Sequence, residues 1–208
     1  MPNESENTRP TISNIRKMLS QAEKGGVQNT IQNCVTVLQN DPVLADSIRL
    51  NLLSERIDIV KPMGWQRSGP TLTDTDMMYI LRRMEKYGLY SEKRVSAAIR
   101  IVANENHYHP IRDYLNDLKW DGTERISHAL HRFLGAAEDE LTAEVLKIFL
   151  LGAIKRVFYP GCKFEMMLCL VGGQGAGKSS FFRLLAIKDE WFSDDLRRLD
   201  DDNVFRKL

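Results

Sequence analysis

The sequence predicts a mainly α-helical N-terminal region with a small β-hairpin, leading into an α/β core of the P-loop type that is incomplete in this chain. Three observations predict it. Apolar residues recur at helical spacing through most of the chain before residue 159. Ile48, Leu50 and Leu52 alternate with polar residues, as do Ile57 and Ile59, which is the period of a strand. Met166 to Val171 form an unbroken apolar run that meets a glycine-rich loop and then a helix-like stretch, Ser180 to Leu185.

The elements follow in order. Residues 1–10 read as a flexible tail. Ile12, Ile15 and Leu19 mark a first helix, and Gly25-Gly26 interrupts it. Val27 to Leu38 predict a second helix, closed by Asn40-Asp41-Pro42. The hairpin turns near Ser54-Glu55, and Pro62, Gly64, Gly69 and Pro70 mark a loop. Thr73 with Asp76 forms a capping-box pattern that opens a helix running to Tyr87 and stopped by Gly88. Ser91 is placed to cap the next helix, up to about Glu105, and Pro110 suits the first turn of a short one. Asp121-Gly122 predicts a turn, Thr123 a cap, and Gly135 the end of the helix between them. Residues 139–158 form the longest helical pattern, and its centre, Ile148 to Leu151, is apolar on more than one face, which predicts a buried helix.

The loop Gly172-Gly173-Gln174-Gly175-Ala176-Gly177-Lys178-Ser179 fits G-x-x-x-x-G-K-[ST]. A polyphosphate concentrates negative charge, and main-chain N–H groups turned inward form a concave anion site that side chains would obstruct. Glycine reaches positive φ without penalty and lets the backbone approach the ligand. The helix that begins near Lys178 adds unsatisfied N–H groups and the positive end of its dipole. The predicted nucleotide site is therefore Gly172, Gly173, Gln174, Gly175, Ala176, Gly177, Lys178, Ser179 and the more weakly indicated Ser180, with ATP or another nucleoside triphosphate and Mg²⁺ as ligands. Lys178 is expected at the β- and γ-phosphates and the Ser179 hydroxyl on the Mg²⁺.

Composition bounds the alternatives. Apolar residues are 43% and charged residues 27%, as in ordinary globular chains, and the net charge of +1 neither favours nor excludes nucleic acid. No run approaches the length of a membrane span, so no membrane partner is expected. The polar, acidic start lacks the pattern of a secretory signal, and Cys34, Cys162 and Cys169 read as free thiols, which together point to the cytoplasm.

Several residues have a plain reading that outweighs a functional one. His107, His109, His128 and His131 have no Cys or carboxylate at finger-like spacing and read as loop and surface histidines. Trp120 reads as core packing under a turn rather than a base-stacking surface. Arg82, Arg83, Lys86, Lys93 and Arg94 read as a solvated basic face, with a phosphate track as the alternative. Arg112 and Asp113, near Asp121, are candidates for structural ion pairs. Asp194-Asp195 and Asp200 to Asp202 are acidic but do not end an apolar strand, so they read as solvated rather than metal-binding. No carboxylate strand of the Walker B kind and no arginine finger is recognisable, and no catalytic residue is assigned.

The segments His109 to Leu115, Leu118 to Gly122, Arg125-Ile126, Tyr159 to Phe164, Val171 to Ser179 and Trp191 to Asp194 resemble the virulence-associated protein E family. The resemblance is sharpest over residues 104–195, and the Asn40 to Pro42 and Asp74 to Leu89 segments look like its lead-in. It implies a P-loop NTPase of bacteriophages and mobile elements, with a helicase-like (AAA+) core, a role in DNA replication, and a primase module as frequent companion. It also implies DNA as a partner and a homo-oligomer in the full-length form. On this reading residues 11–104 are a mainly helical accessory region and residues 105–208 a truncated NTPase domain, with lead-in helices over 105–159 and the strand–loop–helix over 165–187. The family's acidic metal-binding strand would follow the last residue, so an ATP-binding fragment that does not turn ATP over by itself is expected. The rival is a non-catalytic helical module that binds DNA or another partner and keeps a vestigial nucleotide loop. A generic small P-loop kinase fits less well, because such chains open with the loop.

Overall fold

Helix α1 (Ile12–Met18) starts where the Thr11 hydroxyl accepts from the Asn14 amide, and it turns Ile15 and the following Leu19 into the interior. The computed structural model describes residues 10–193 of the chain. The tail predicted for residues 1–10 falls almost wholly outside them, as do the acidic groups at 194–195 and 200–202. Helix α2 (Ile31–Asn40) begins four residues later than the apolar pattern suggests. The Thr30 side chain takes the Asn33 amide and sets the start there, while Val27 pairs with Gln21 across the Gly25-Gly26 turn, where both glycines have positive φ. Asn33, 2% exposed, locks that turn by donating to the carbonyls of Ser20 and Gln28 and accepting from the Ser20 amide.

Strands β1 (Ile48–Asn51) and β2 (Arg56–Ile59) pair antiparallel, Ile48 opposite Ile59, and form a two-stranded sheet. The turn between them is set by the Asn51 side chain, which accepts from the amides of Leu53 and Ser54. Leu52 therefore leaves the strand and is exposed, against its place in the alternation. Helix α3 (Asp74–Glu85) carries the predicted capping box, with the Thr73 hydroxyl taking the Asp76 amide and the Asp76 carboxylate taking the Thr73 amide. Helix α4 (Glu92–Glu105) buries Val95, Ala98, Ile99, Val102 and Ala103, the i, i+3, i+4, i+7, i+8 stripe of an amphipathic helix, and packs on α2 and β1. Ser91 precedes α4 but makes no side-chain cap. Helix α5 (Pro110–Asp117) has Pro at its first position, and the ring of His109 accepts from the Arg112 amide.

These elements enclose one core, with Leu38, Leu44, Ile48, Ile80, Met84, Tyr87, Leu89 and Ile99 all at 1% exposure or less. Burying each such side chain contributes about 1.5–3 kcal/mol before chain entropy is counted. The chain divides by packing into two units, Met1–Leu118 and Lys119–Leu208, so the division falls after α5, whereas the sequence reading drew its line at 104/105.

The second unit has helices α6 (Ile126–Leu134), α7 (Glu140–Phe158) and α8 (Lys178–Leu185). Thr123 does not cap α6. The residue preceding that helix is Arg125, paired with Asp121 across four residues, and the helix ends on Gly135 at φ +66, as expected of a left-handed cap. Asp139 caps α7 by accepting from the Thr142 amide. The buried-helix expectation for α7 is corrected. Leu146 and Gly152 are buried, but Leu151 is 57% exposed and Ile154 41%, because the described elements cover only one side of it. Trp120 is corrected too: it is 82% exposed and packs under no turn. Among the described residues no helix is long and apolar enough to cross a membrane.

The largest correction concerns residues 166–171. They are extended but pair with no strand among the described residues, so the P-loop α/β core predicted from the sequence is not formed as a sheet. Leu168 and Leu170 lean on the small core of Leu130, Leu146 and Phe181, while Met167 and Val171 face out at 82% and 97% exposure. The alternation is that of a strand with one face covered and its edges unpaired. The observed class is mostly helical with one small antiparallel sheet.

Candidate functional site: the glycine loop of the second unit

The loop bridges the extended segment and α8. Gly175 and Gly177 have φ of +82° and +78°, a region that L side chains rarely adopt, so glycine is required at both places by the backbone itself. Gly177 is the residue before α8, and its carbonyl takes the Phe181 amide at 2.8 Å, the first bond of the helix. Among the described residues no side chain caps α8, which leaves its first N–H groups open at the loop. Residues 172–177 are all exposed, and a Cβ at Gly172, Gly173 or Gly175 would meet nothing within 4 Å.

Lys178 is half-buried and folds back over the loop. Its Nζ donates to the carbonyls of Gly172 at 2.8 Å and Gly173 at 2.7 Å. The ammonium thus spans the loop that a phosphate would enter. Ser179 is exposed, and Ser180, also exposed, borders an apolar cavity shared with Phe181, Leu184 and Phe133. The loop residues predicted from the sequence are therefore together in one turn, but Ser180 is directed to a different surface from Lys178.

A cavity of about 380 Å³ adjoins the loop at Gly172, Ala176 and Lys178. Its far wall is Leu134, Ala136, Leu141 and Thr142, at the α6–α7 connection. Sequence reasoning missed these four. They lie far from the loop along the chain, and only the packing of α6 on α7 brings them there. The same packing sets Leu134 at ordinary contact distance from where a Cβ of Gly177 would stand.

The remaining candidates fall elsewhere. Asp121 binds Arg125 through two nitrogens, at 2.9 and 2.7 Å, and that pairing, with the Thr123 amide, holds its carboxyl well below the usual range. His128 and His131 both approach Glu138, at 3.1 and 3.9 Å. Burial and the neighbouring Arg112 push the His109 ring below the ordinary histidine value. Among the described residues no group of three or more His, Cys, Asp or Glu side chains is arranged to hold a metal ion.

Residues 115–208 match the family model of the virulence-associated protein E-like domain. The matched segment takes in the end of α5, the α6–α7 pair, the glycine loop and α8, and agrees with the likeness carried by Leu118 to Gly122, Tyr159 to Phe164 and the loop. Residues 1–114 lie outside the match. No curated protein matches the chain.

Proposed function

We propose that this chain binds a nucleoside triphosphate, ATP foremost, with Mg²⁺ at the loop 172–179, as part of a DNA-replication protein of a phage or mobile element. The observation that carries the reading is the loop itself. Two glycines held at positive φ, an uncapped helix N-terminus and a lysine at the first helical position form the donor set a polyphosphate needs. The family match in the same segment supports it. Main-chain amides of Gly173 to Lys178 would hold the phosphates, and the Ser179 hydroxyl would ligate the Mg²⁺. The nucleotide would supply a phosphoryl group for transfer, and we assign these residues binding rather than turnover. Lys178 must leave the carbonyls of Gly172 and Gly173 to reach the phosphates.

That same contact favours a second reading: a helical DNA- or partner-binding module whose lysine keeps a vestigial loop closed. A titration of the chain with a fluorescent ATP analogue separates the two. Saturable, Mg²⁺-dependent binding that Lys178→Ala weakens by about tenfold or more supports the first reading; each unit of 1.4 kcal/mol lost is tenfold. A flat titration with both proteins leaves the module.

A further inference from the structure

We propose that the first unit carries a contact surface for single-stranded nucleic acid, in which Tyr79 stacks a base and Arg82 and Lys86 hold phosphates. The surface is a cavity of about 240 Å³ walled by Trp65, Tyr79, Arg82, Arg83 and Lys86, and among the described residues no carboxylate lines it. It belongs to the first unit by itself, lies outside the family match, and does not rest on the nucleotide reading of the glycine loop.

The aromatic wall is built, not incidental. The rings of Trp65 and Tyr79 lie parallel, 4.9 Å apart at an interplanar angle of 7°. Trp65 is fixed because its Nε1 donates to Asp76 at 2.8 Å, and Asp76 is fixed by Arg67 at 2.8 Å and by the capping box of α3. A ring held this way loses little freedom when a third ring joins the stack. Tyr79 is 39% exposed, so part of its surface is open to a partner.

The cations divide by task. Arg83 is committed to the buried Asp41 at 2.5 Å. Arg82 and Lys86 are exposed, and neither has an ion-pair partner among the described residues. Tyr79, Arg82 and Lys86 stand at i, i+3 and i+7, a stripe about 10 Å long on one side of α3 and its end. An aromatic face beside a short track of unpaired cations is the surface on which a single strand binds without regard to sequence, since every base has a π-face. An acidic peptide would use the cations but not the flat stacked pair, so nucleic acid is the occupant the geometry favours.

The test is fluorescence anisotropy of a short labelled oligothymidylate with the whole chain at low salt. The wild type is expected to bind it more tightly than a duplex of the same length. Tyr79→Ala should weaken binding about tenfold and Tyr79→Phe should not, because the stacking ring is kept. Arg82→Ala and Lys86→Ala should each weaken it and flatten the dependence of log K on log salt by about 0.7. Lys178→Ala should leave it unchanged, which separates this surface from the glycine loop. The proposal is overturned by any of the following: no binding at low salt, equal binding of the duplex, unchanged affinity in Tyr79→Ala, loss in Lys178→Ala, or displacement of the strand by thymidine monophosphate or an acidic peptide at equal concentration.

Discussion

Arg83→Ala is expected to destabilise the first unit by about 3 kcal/mol. Asp41 ends α2 with a side chain fully out of solvent, and Arg83 of α3 is its cation, so the pair ties two helices together. Removing one partner of a buried pair costs roughly 3–5 kcal/mol because the other charge stays buried. The low end applies here. Asp41 would keep the Tyr87 hydroxyl at 2.5 Å and the amides of Val43 and Leu44 at 2.9 and 3.1 Å. At roughly 4–8 °C per kcal/mol for a domain of this order, the melting temperature should drop by about 12 °C or more. The assay is thermal unfolding followed by Trp65 fluorescence in a background with Trp120→Phe and Trp191→Phe, so that only the first unit reports. The pH dependence sharpens it. Burial raises the Asp41 pKa, but the hydrogen bonds from Arg83, Tyr87 and Val43 outweigh it and hold it below the ordinary value. A depressed carboxyl contributes stability that is full above its unfolded value, ~3.9, and is lost as pH falls through the folded one. The variant lacks the main cause of that depression, so the gap between the two proteins should narrow as pH falls from neutral to about 3. A shift under about 3 °C at neutral pH, or a gap that widens in acid, would refute the reasoning.

Thr73→Ala removes one half of the capping box and should lower the stability of the first unit by about 1 kcal/mol in urea unfolding. Asp76→Asn, which loses the charge paired with Arg67, should remove Asp76's own share of that unit's acid-labile stability and leave the share from Asp41, since the Asp76 carboxyl is held well below the usual range by Arg67, Trp65 and Thr73 against the opposing effect of burial. Gly152→Ala should destabilise α7, because the new Cβ would stand 2.2 Å from the Phe164 ring. In a Phe164→Ala background the same change should instead stabilise, by up to about 1 kcal/mol, as alanine replaces glycine in an open helix. Equal effects in both backgrounds would remove Phe164 as the cause.

What could be read from the sequence was what is local. The capping box of Thr73 and Asp76 and the glycine stops at 88 and 135 depend on residues within one turn, and both took their expected form. The Trp65–Asp76–Arg67 network could not be read, because it joins a loop to a helix through hydrogen bonds that leave no spacing pattern. Trp120 misled because an indole beside a turn looks like core whether or not anything covers it. The run 166–171 has the composition of a buried strand, but a strand is completed by its neighbours, and none pairs with it among the described residues. The loop was legible as a motif; the Lys178 contact to its carbonyls was not.

Backbone amide NMR of the glycine loop, recorded as Mg·ATP is added, tests the central claim most directly. The account predicts large shifts confined to the amides of Gly173 to Ser179, and their absence when Lys178 is replaced by alanine. Spectra that stay unchanged at millimolar nucleotide, or that move only outside this loop, would contradict it.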